Sequence, residues 1–362
     1  MKYIKQAVLY LLVICILFFL GTVSYHKIIT DREIKMLREE GYYHPVSVGD
    51  YWLNTAIFGN KNGRHTIVGM AGLGMGDFSV AARQMTRSLE ENNCVVFIDR
   101  AGYGLSDDTD REMTVEVIVE DYRKALQNVG VKKPYILLAH SIGGAYANYW
   151  VSNYPDEIEA VVFVDGSQLS EDAYADMPAS EVDFGDRTLA FLAKLGFSRY
   201  CLREYFYHYP DNFTQEEQKL GDALMLMTLD SIAPVSEDAM LAQNTRAAFD
   251  GIVTNDVPKL YICASWGFKT VEEILETNKW INRQVEINGL GQEHRAEIYK
   301  DQEELKKMLD LYETAREEII YPYAEKMGNC EVVCLPGDHM IYEQKPEECG
   351  QIIKNFIDGL NG

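Results

Sequence analysis

Two apolar runs, Tyr135–Ala139 (YILLA) and Ala160–Val164 (AVVFV), set the tightest limit on how this chain folds. A strand with one face in water alternates polar and apolar residues, so a run without that alternation predicts a strand covered on both faces. Similar short β-branched or aromatic runs predict strands at Tyr51–Phe58, His65–Met70, Cys94–Ile98, Lys259–Ala264 and Glu331–Leu335. Helical patterns lie between them at Phe78–Glu90, Val115–Asn128, Gly144–Asn153 and Glu347–Ile357. The alternation predicts an α/β fold with a mostly parallel central sheet flanked by helices.

Two segments interrupt the rhythm. Ser167–Asn255 is helical in pattern and rich in Met, Leu, Tyr and Phe, which reads as a cap inserted between the fifth and sixth of these strands. Trp266–Asn329 is a second insertion, charged and mostly helical. With 362 residues, the expected organisation is an N-terminal segment over 1–41 and one domain over 42–362, with its cap at about 167–255.

The N-terminal segment departs from the rest in composition. Lys2 and Lys5 precede Ala7–Tyr25 (AVLYLLVICILFFLGTVSY), which carries no charge. This suits an N-terminal transmembrane helix, with a cleaved signal peptide ending near Thr22-Val-Ser24 as the competing reading. Either reading puts the domain outside the cytoplasm: single-pass at the cell membrane, or secreted. Lys27, Arg32, Lys35 and Arg38 follow the run, so charge bias orients it poorly. His26–Gly41 reads as a linker.

Acidic residues outnumber basic ones by 56 to 34, a formal charge of −22, which repels phosphate backbones and excludes nucleic acid as an expected partner. Of seven cysteines, Cys15 lies in the apolar run, and Cys94, Cys263 and Cys334 lie in strand-like runs that favour buried free thiols. No CxxC occurs, so neither a zinc knuckle nor a redox motif is indicated, and no metal or cofactor is expected. A disulfide such as Cys330 with Cys349 stays open at this level, as does the oligomeric state.

Chemistry concentrates where the run Tyr135–Ala139 ends. His140 and Ser141 are followed by Ile142, Gly143 and Gly144, small enough to let strand and helix approach closely and to push a hydroxyl above the sheet edge. A helix-capping serine would explain Ser141 but not two glycines in the first turn, where glycine weakens a helix. Ala139-His-Ser141-Ile-Gly143 resembles the nucleophile elbow of the α/β-hydrolase superfamily, with alanine in place of the usual first glycine. Asp99-Arg-Ala-Gly-Tyr-Gly-Leu-Ser-Asp107 resembles that superfamily's Asp-x-x-Gly-x-Gly-x-Ser turn, and lacks the third glycine of a dinucleotide loop.

The resemblance runs from about Tyr43 to the C-terminus and is thin across the two insertions. It implies a serine hydrolase with a helical cap: Ser141 as nucleophile, His339 of Gly337-Asp-His339 as general base, and the N–H groups of Leu73 and Ile142 as the oxyanion hole. Ala71 stands where the family carries histidine before the oxyanion loop. His140 is expected to pack in the elbow. The acid is less plain, because LYICASWGF offers Ser265 where an aspartate is usual. Asp165, at the end of AVVFV, keeps the order serine, acid, histidine, with Glu272 or Glu273 as alternatives.

The reading is therefore an acyl-enzyme hydrolase of an ester, thioester or amide, acting on a small acyl or peptide substrate. A serine nucleophile excludes the aspartyl chemistry of dehalogenases. The alternatives are a small-peptide aminopeptidase and a non-catalytic binding or signalling protein on a degenerate hydrolase fold. Phe191, Tyr205, Tyr207 and Met225 of the cap are candidates for an apolar acyl pocket, although such stripes are more often core.

Overall fold

The computed structural model describes residues 2–167, 170, 180–201, 208–289 and 301–360. Eight strands form one sheet: β1 (Pro45–Ser47), β2 (Trp52–Gly59), β3 (Thr66–Met70), β4 (Cys94–Ile98), β5 (Tyr135–His140), β6 (Ile158–Val164), β7 (Lys259–Cys263) and β8 (Cys330–Cys334). Their spatial order is β1-β2-β4-β3-β5-β6-β7-β8. From β4 to β8 every pairing is parallel, whereas β2 runs antiparallel to β4 and β1 antiparallel to β2. This is the α/β-hydrolase fold with its mostly parallel sheet.

The apolar runs Tyr135–Ala139 and Ala160–Val164 are two-sided strands. Ile136 and Leu138 of β5, with Val162 and Val164 of β6, enter one apolar core; Leu137, Ala139, Val161 and Phe163 enter the other. Helices Val115–Val129 and Gly143–Asn153 close one face, and Pro346–Gly359 closes the other with Gln215–Thr228. Burying each such apolar side chain contributes roughly 1.5–3 kcal/mol, and both faces of these strands contribute.

Several expected boundaries change. The helix expected over Phe78–Glu90 is three short pieces, Phe78–Ala81, Arg83–Thr86 and the 3-10 turn Arg87–Leu89. The expected linker after the apolar run is not one: a single helix continues from Lys2 to Glu39. Its apolar stretch is long and apolar enough to cross a membrane, with mean hydropathy 2.6. Its far end docks on the body, burying Leu37 in the core.

The first insertion contains helices Phe184–Lys194, Ser198–Cys201, Gln215–Thr228, Ala233–Ala239 and Leu241–Asp250. The last belongs to the body more than to a cap. Ala248 is in the core, and Asn244 accepts from Val115 N–H (2.7 Å) and donates to Met113 C=O (2.9 Å). The second insertion forms helices Val271–Ile287, Gln302–Ala315 and Tyr321–Met327, with a small core of Phe268, Ile274 and Leu305. Cys330 and Cys349 are both free thiols.

Candidate active site

Strand register brings the site together. Met70 pairs with Ala139, His140 with Val164, Val164 with Ile262, and Cys263 with Cys334, so the C-terminal ends of β3, β5, β6, β7 and β8 lie level. The loops that follow carry Leu73, Ser141, Asp165, Ser265 and His339 to one edge of the sheet, where open parallel sheets bind ligands.

Ser141 sits in a left-handed backbone conformation at φ 51°, in a turn whose Ser141 C=O accepts from Gly144 N–H (2.8 Å) and Ser167 N–H (2.9 Å). The turn is sterically tight: a Cβ on Gly143 would come within 2.5 Å of the Met70 carbonyl oxygen. Only glycine permits that approach of the helix start to β3. Asp165 is also left-handed, at φ 43°, and among the described residues Asn329 is the one other non-glycine residue with positive φ. Backbone strain of this kind persists where the surrounding structure over-determines it, often at functional sites.

Asp165 is fully buried and all its contacts are donors. Its Oδ2 accepts from His339 Nδ1 (2.7 Å) and from Ser265 Oγ (2.5 Å); its Oδ1 accepts from the N–H groups of Ala264 (2.9 Å) and Ser265 (3.0 Å). Burial alone would push its carboxyl pKa up, but the hydrogen bond and charge of His339 and the bonds from Ser265 outweigh this and hold it below the usual value. Burial disfavours the imidazolium of His339, but Asp165, with help from Asp338, lifts its pKa above the ordinary histidine value. With an acceptor-only carboxylate on Nδ1, the proton of neutral His339 sits there and Nε2 keeps its lone pair.

Ser265 stands where the sequence reading missed an aspartate, and it acts as a donor to Asp165 instead. Glu273 is occupied elsewhere: its carboxylate accepts from Lys269 and Thr270 N–H in the capping box of helix Val271–Ile287. His140 does more than pack. Its Nε2–H donates to the His339 carbonyl oxygen (3.0 Å), its ring lies 4.7 Å from that of His339, and its buried Nδ1 has no partner among the described residues. Burial and the neighbouring His339 drive its pKa down, keeping it neutral.

Sequence reasoning missed Arg100 and Glu237. Arg100, inside the quoted Asp99 turn, donates from Nη1 to Ala71 C=O and from Nη2 to Gly72 C=O, both at 2.8 Å. Its Nε donates to Glu237 (2.9 Å), which also accepts from Tyr146 Oη (2.8 Å), with both ionic side chains buried at 2% and 0% exposure. A trans peptide points its N–H away from its C=O, so pinning the Gly72 carbonyl turns the Leu73 N–H the other way. Neither the Leu73 nor the Ile142 N–H donates to another group among the described residues. A Cβ on Gly72 would lie 3.2 Å from Ser141 Cβ, so this loop stands against the elbow. The turn signalled a packed loop, but nothing in the sequence linked it to Glu237.

A cavity of about 740 Å³ adjoins the loop, lined by Leu73 and Gly74 together with Met225 and Leu192 from the first insertion. Phe191 is 60% exposed and outside that lining; Tyr205 and Tyr207 lie outside the described residues. Among the described residues, no cluster of His, Cys, Asp or Glu could hold a metal ion.

A strained serine at a strand-to-helix turn, level with a carboxylate-held histidine, defines the class: this is the architecture of a hydrolase. Residues 70–287 match the family described as alpha/beta hydrolase fold, and the chain belongs to that family. It is 30% identical over 200 residues to the uncharacterised Bacillus subtilis protein YbdG, covering 55% of this chain and 60% of that one, so the match spans less than two thirds of the relative's length. Among solved structures it superposes on a putative lipase from Acinetobacter baumannii (TM-score 0.52, 20% identity, 93% of this chain and 96% of that one). It also superposes on the haloalkane dehalogenase DatA from Agrobacterium tumefaciens (TM-score 0.54, 16% identity, 88% of this chain and 96% of that one). Likeness at this identity establishes the fold alone.

Proposed function

We propose that the protein is a membrane-anchored serine hydrolase that cleaves an ester, thioester or amide through an acyl-enzyme on Ser141. The observation that carries the reading is the His339–Asp165 hydrogen bond at the same sheet edge as the strained Ser141. His339 Nε2 accepts the Ser141 hydroxyl proton as Oγ attacks the acyl carbonyl. The Leu73 and Ile142 N–H groups stabilise the oxyanion, and the leaving group departs with the proton from His339. Water, deprotonated by the same histidine, then releases the acid and regenerates the serine.

Asp165 keeps the imidazole in the tautomer that can accept this proton. The apolar part of helix Lys2–Glu39 anchors the chain in the membrane, with the domain outside the cytoplasm. Labelling with a fluorophosphonate tests the chemistry: wild type should label and Ser141→Ala should not. A folded wild type that stays unlabelled would mark a non-catalytic binding protein and end the proposal.

A further inference from the structure

We infer that the substrate is an acyl ester of a lipid resident in the bilayer, whose hydrocarbon chain fills the cavity beside Leu73; this rests on the hydrolase and membrane-anchor reading above. The cavity has the volume of a small-molecule site, within the range of roughly 300–1,000 Å³, and its lining is predominantly apolar. Leu73 is in its wall, and the adjacent Gly72 stands against Ser141, which puts the cavity next to the loop that abuts the serine.

The cavity also borders the apolar N-terminal helix. Phe197, in the cavity wall, packs on Phe18 and Phe19 at ring separations of 6.5 and 6.4 Å. Two residues on, Arg199 is held by His26 (2.9 Å), Thr30 (2.9 Å) and Glu33 (2.6 Å), and Thr22 is buried on the helix face. The uncharged stretch between Lys5 and Lys27 rises ~33 Å, close to the ~30 Å hydrocarbon thickness. Phe18 and Phe19 then lie inside the hydrocarbon layer, and Phe197 reaches that depth with them.

The rim fits the same placement. Leu189 and Leu192 line the cavity and are 68% and 38% exposed, beside Phe191 and the still more exposed Phe184. An apolar rim next to a spanning helix is costly in water and compatible with lipid. Its position lets a chain pass from the leaflet into the cavity without crossing the aqueous phase.

The test uses the full-length protein in phosphatidylcholine vesicles, with soluble acetyl and octanoyl esters and a vesicle-resident palmitoyl ester. Each buried methylene contributes roughly a fourfold preference, so kcat/KM should rise at least tenfold from acetyl to octanoyl. Met225→Trp, which narrows the cavity at its wall, should lower the octanoyl-to-acetyl ratio at least tenfold. Leu189→Glu with Leu192→Glu should lower the palmitoyl rate in vesicles at least tenfold relative to the acetyl rate.

Fluorophosphonate labelling of each variant reports that the site is formed. Intact labelling with a flat or acetyl-favouring profile overturns the lipid inference and leaves the hydrolase reading standing. Octanoyl preference without hydrolysis of the vesicle ester overturns the membrane source. Absence of labelling in wild type overturns both readings together.

Discussion

His339 Nδ1 lies 2.7 Å from Asp165 Oδ2, although 174 positions separate the two residues. The contact exists because the ends of β6 and β8 stand level on either side of β7, with the loop after β7 donating to Asp165 from the Ala264 and Ser265 N–H groups. Asp165→Asn keeps the shape and removes the charge that selects the histidine tautomer. Turnover of a labelled ester should fall by about three to four orders of magnitude, while Glu273→Gln, which alters a helix cap, should leave turnover within about threefold. Thermal unfolding measured alongside separates lost chemistry from lost fold.

The pH dependence has a definite sign. As the proposed general base, His339 must be neutral to accept a proton, and its pKa is raised above 6.5 against the effect of burial, chiefly by Asp165. The acidic limb of kcat/KM should therefore lie above the ordinary histidine value, and Asp165→Asn should move it to lower pH. For stability, a raised folded pKa means that the stabilisation from protonated His339 is fully present below the unfolded value and is lost as pH rises through the folded one. His339 is 47% exposed, so the thermal shift should be small beside the kinetic one.

Arg100 and Glu237 form a buried pair whose value depends on both members. Glu237→Gln leaves the guanidinium charge uncompensated and should cost about 3–5 kcal/mol in denaturant unfolding. The double variant Arg100→Met, Glu237→Met should recover much of that stability. It should not recover turnover, because the Gly72 carbonyl loses the donor that orients the Leu73 N–H; loss of one oxyanion-hole donor corresponds to about a hundredfold or more in kcat. Recovery of both would refute a positioning role.

The N-terminal helix makes a fractionation prediction. Its apolar stretch continues without a break into Glu33 and Leu37, which contact the body. The full-length chain should sediment with membranes and resist alkaline extraction. A soluble form beginning near Tyr25 would show cleavage, and would free the cap from Phe18 and Phe19.

The sequence by itself determined an α/β fold with a mostly parallel sheet, because short β-branched apolar runs with no polar face, alternating with helical patterns, fit strands covered on both sides. The likeness to α/β-hydrolases came from the motifs around Ser141 and Asp99. It also singled out Ser141 and His339 as candidates, since glycines around a strand end and a histidine after the last strand are local patterns. Asp165 was readable only as a candidate, because an aspartate at a strand end looks the same whether it meets a histidine or its own loop. The tertiary structure decided its partner through the register of β6, β7 and β8, and turned Ser265 from an absent acid into a donor. It likewise decided the Arg100–Glu237 pair and the docking of the cap on the N-terminal helix, contacts between segments more than a hundred residues apart. Such pairings leave no periodic trace in a chain, because burial, and not spacing, selects them.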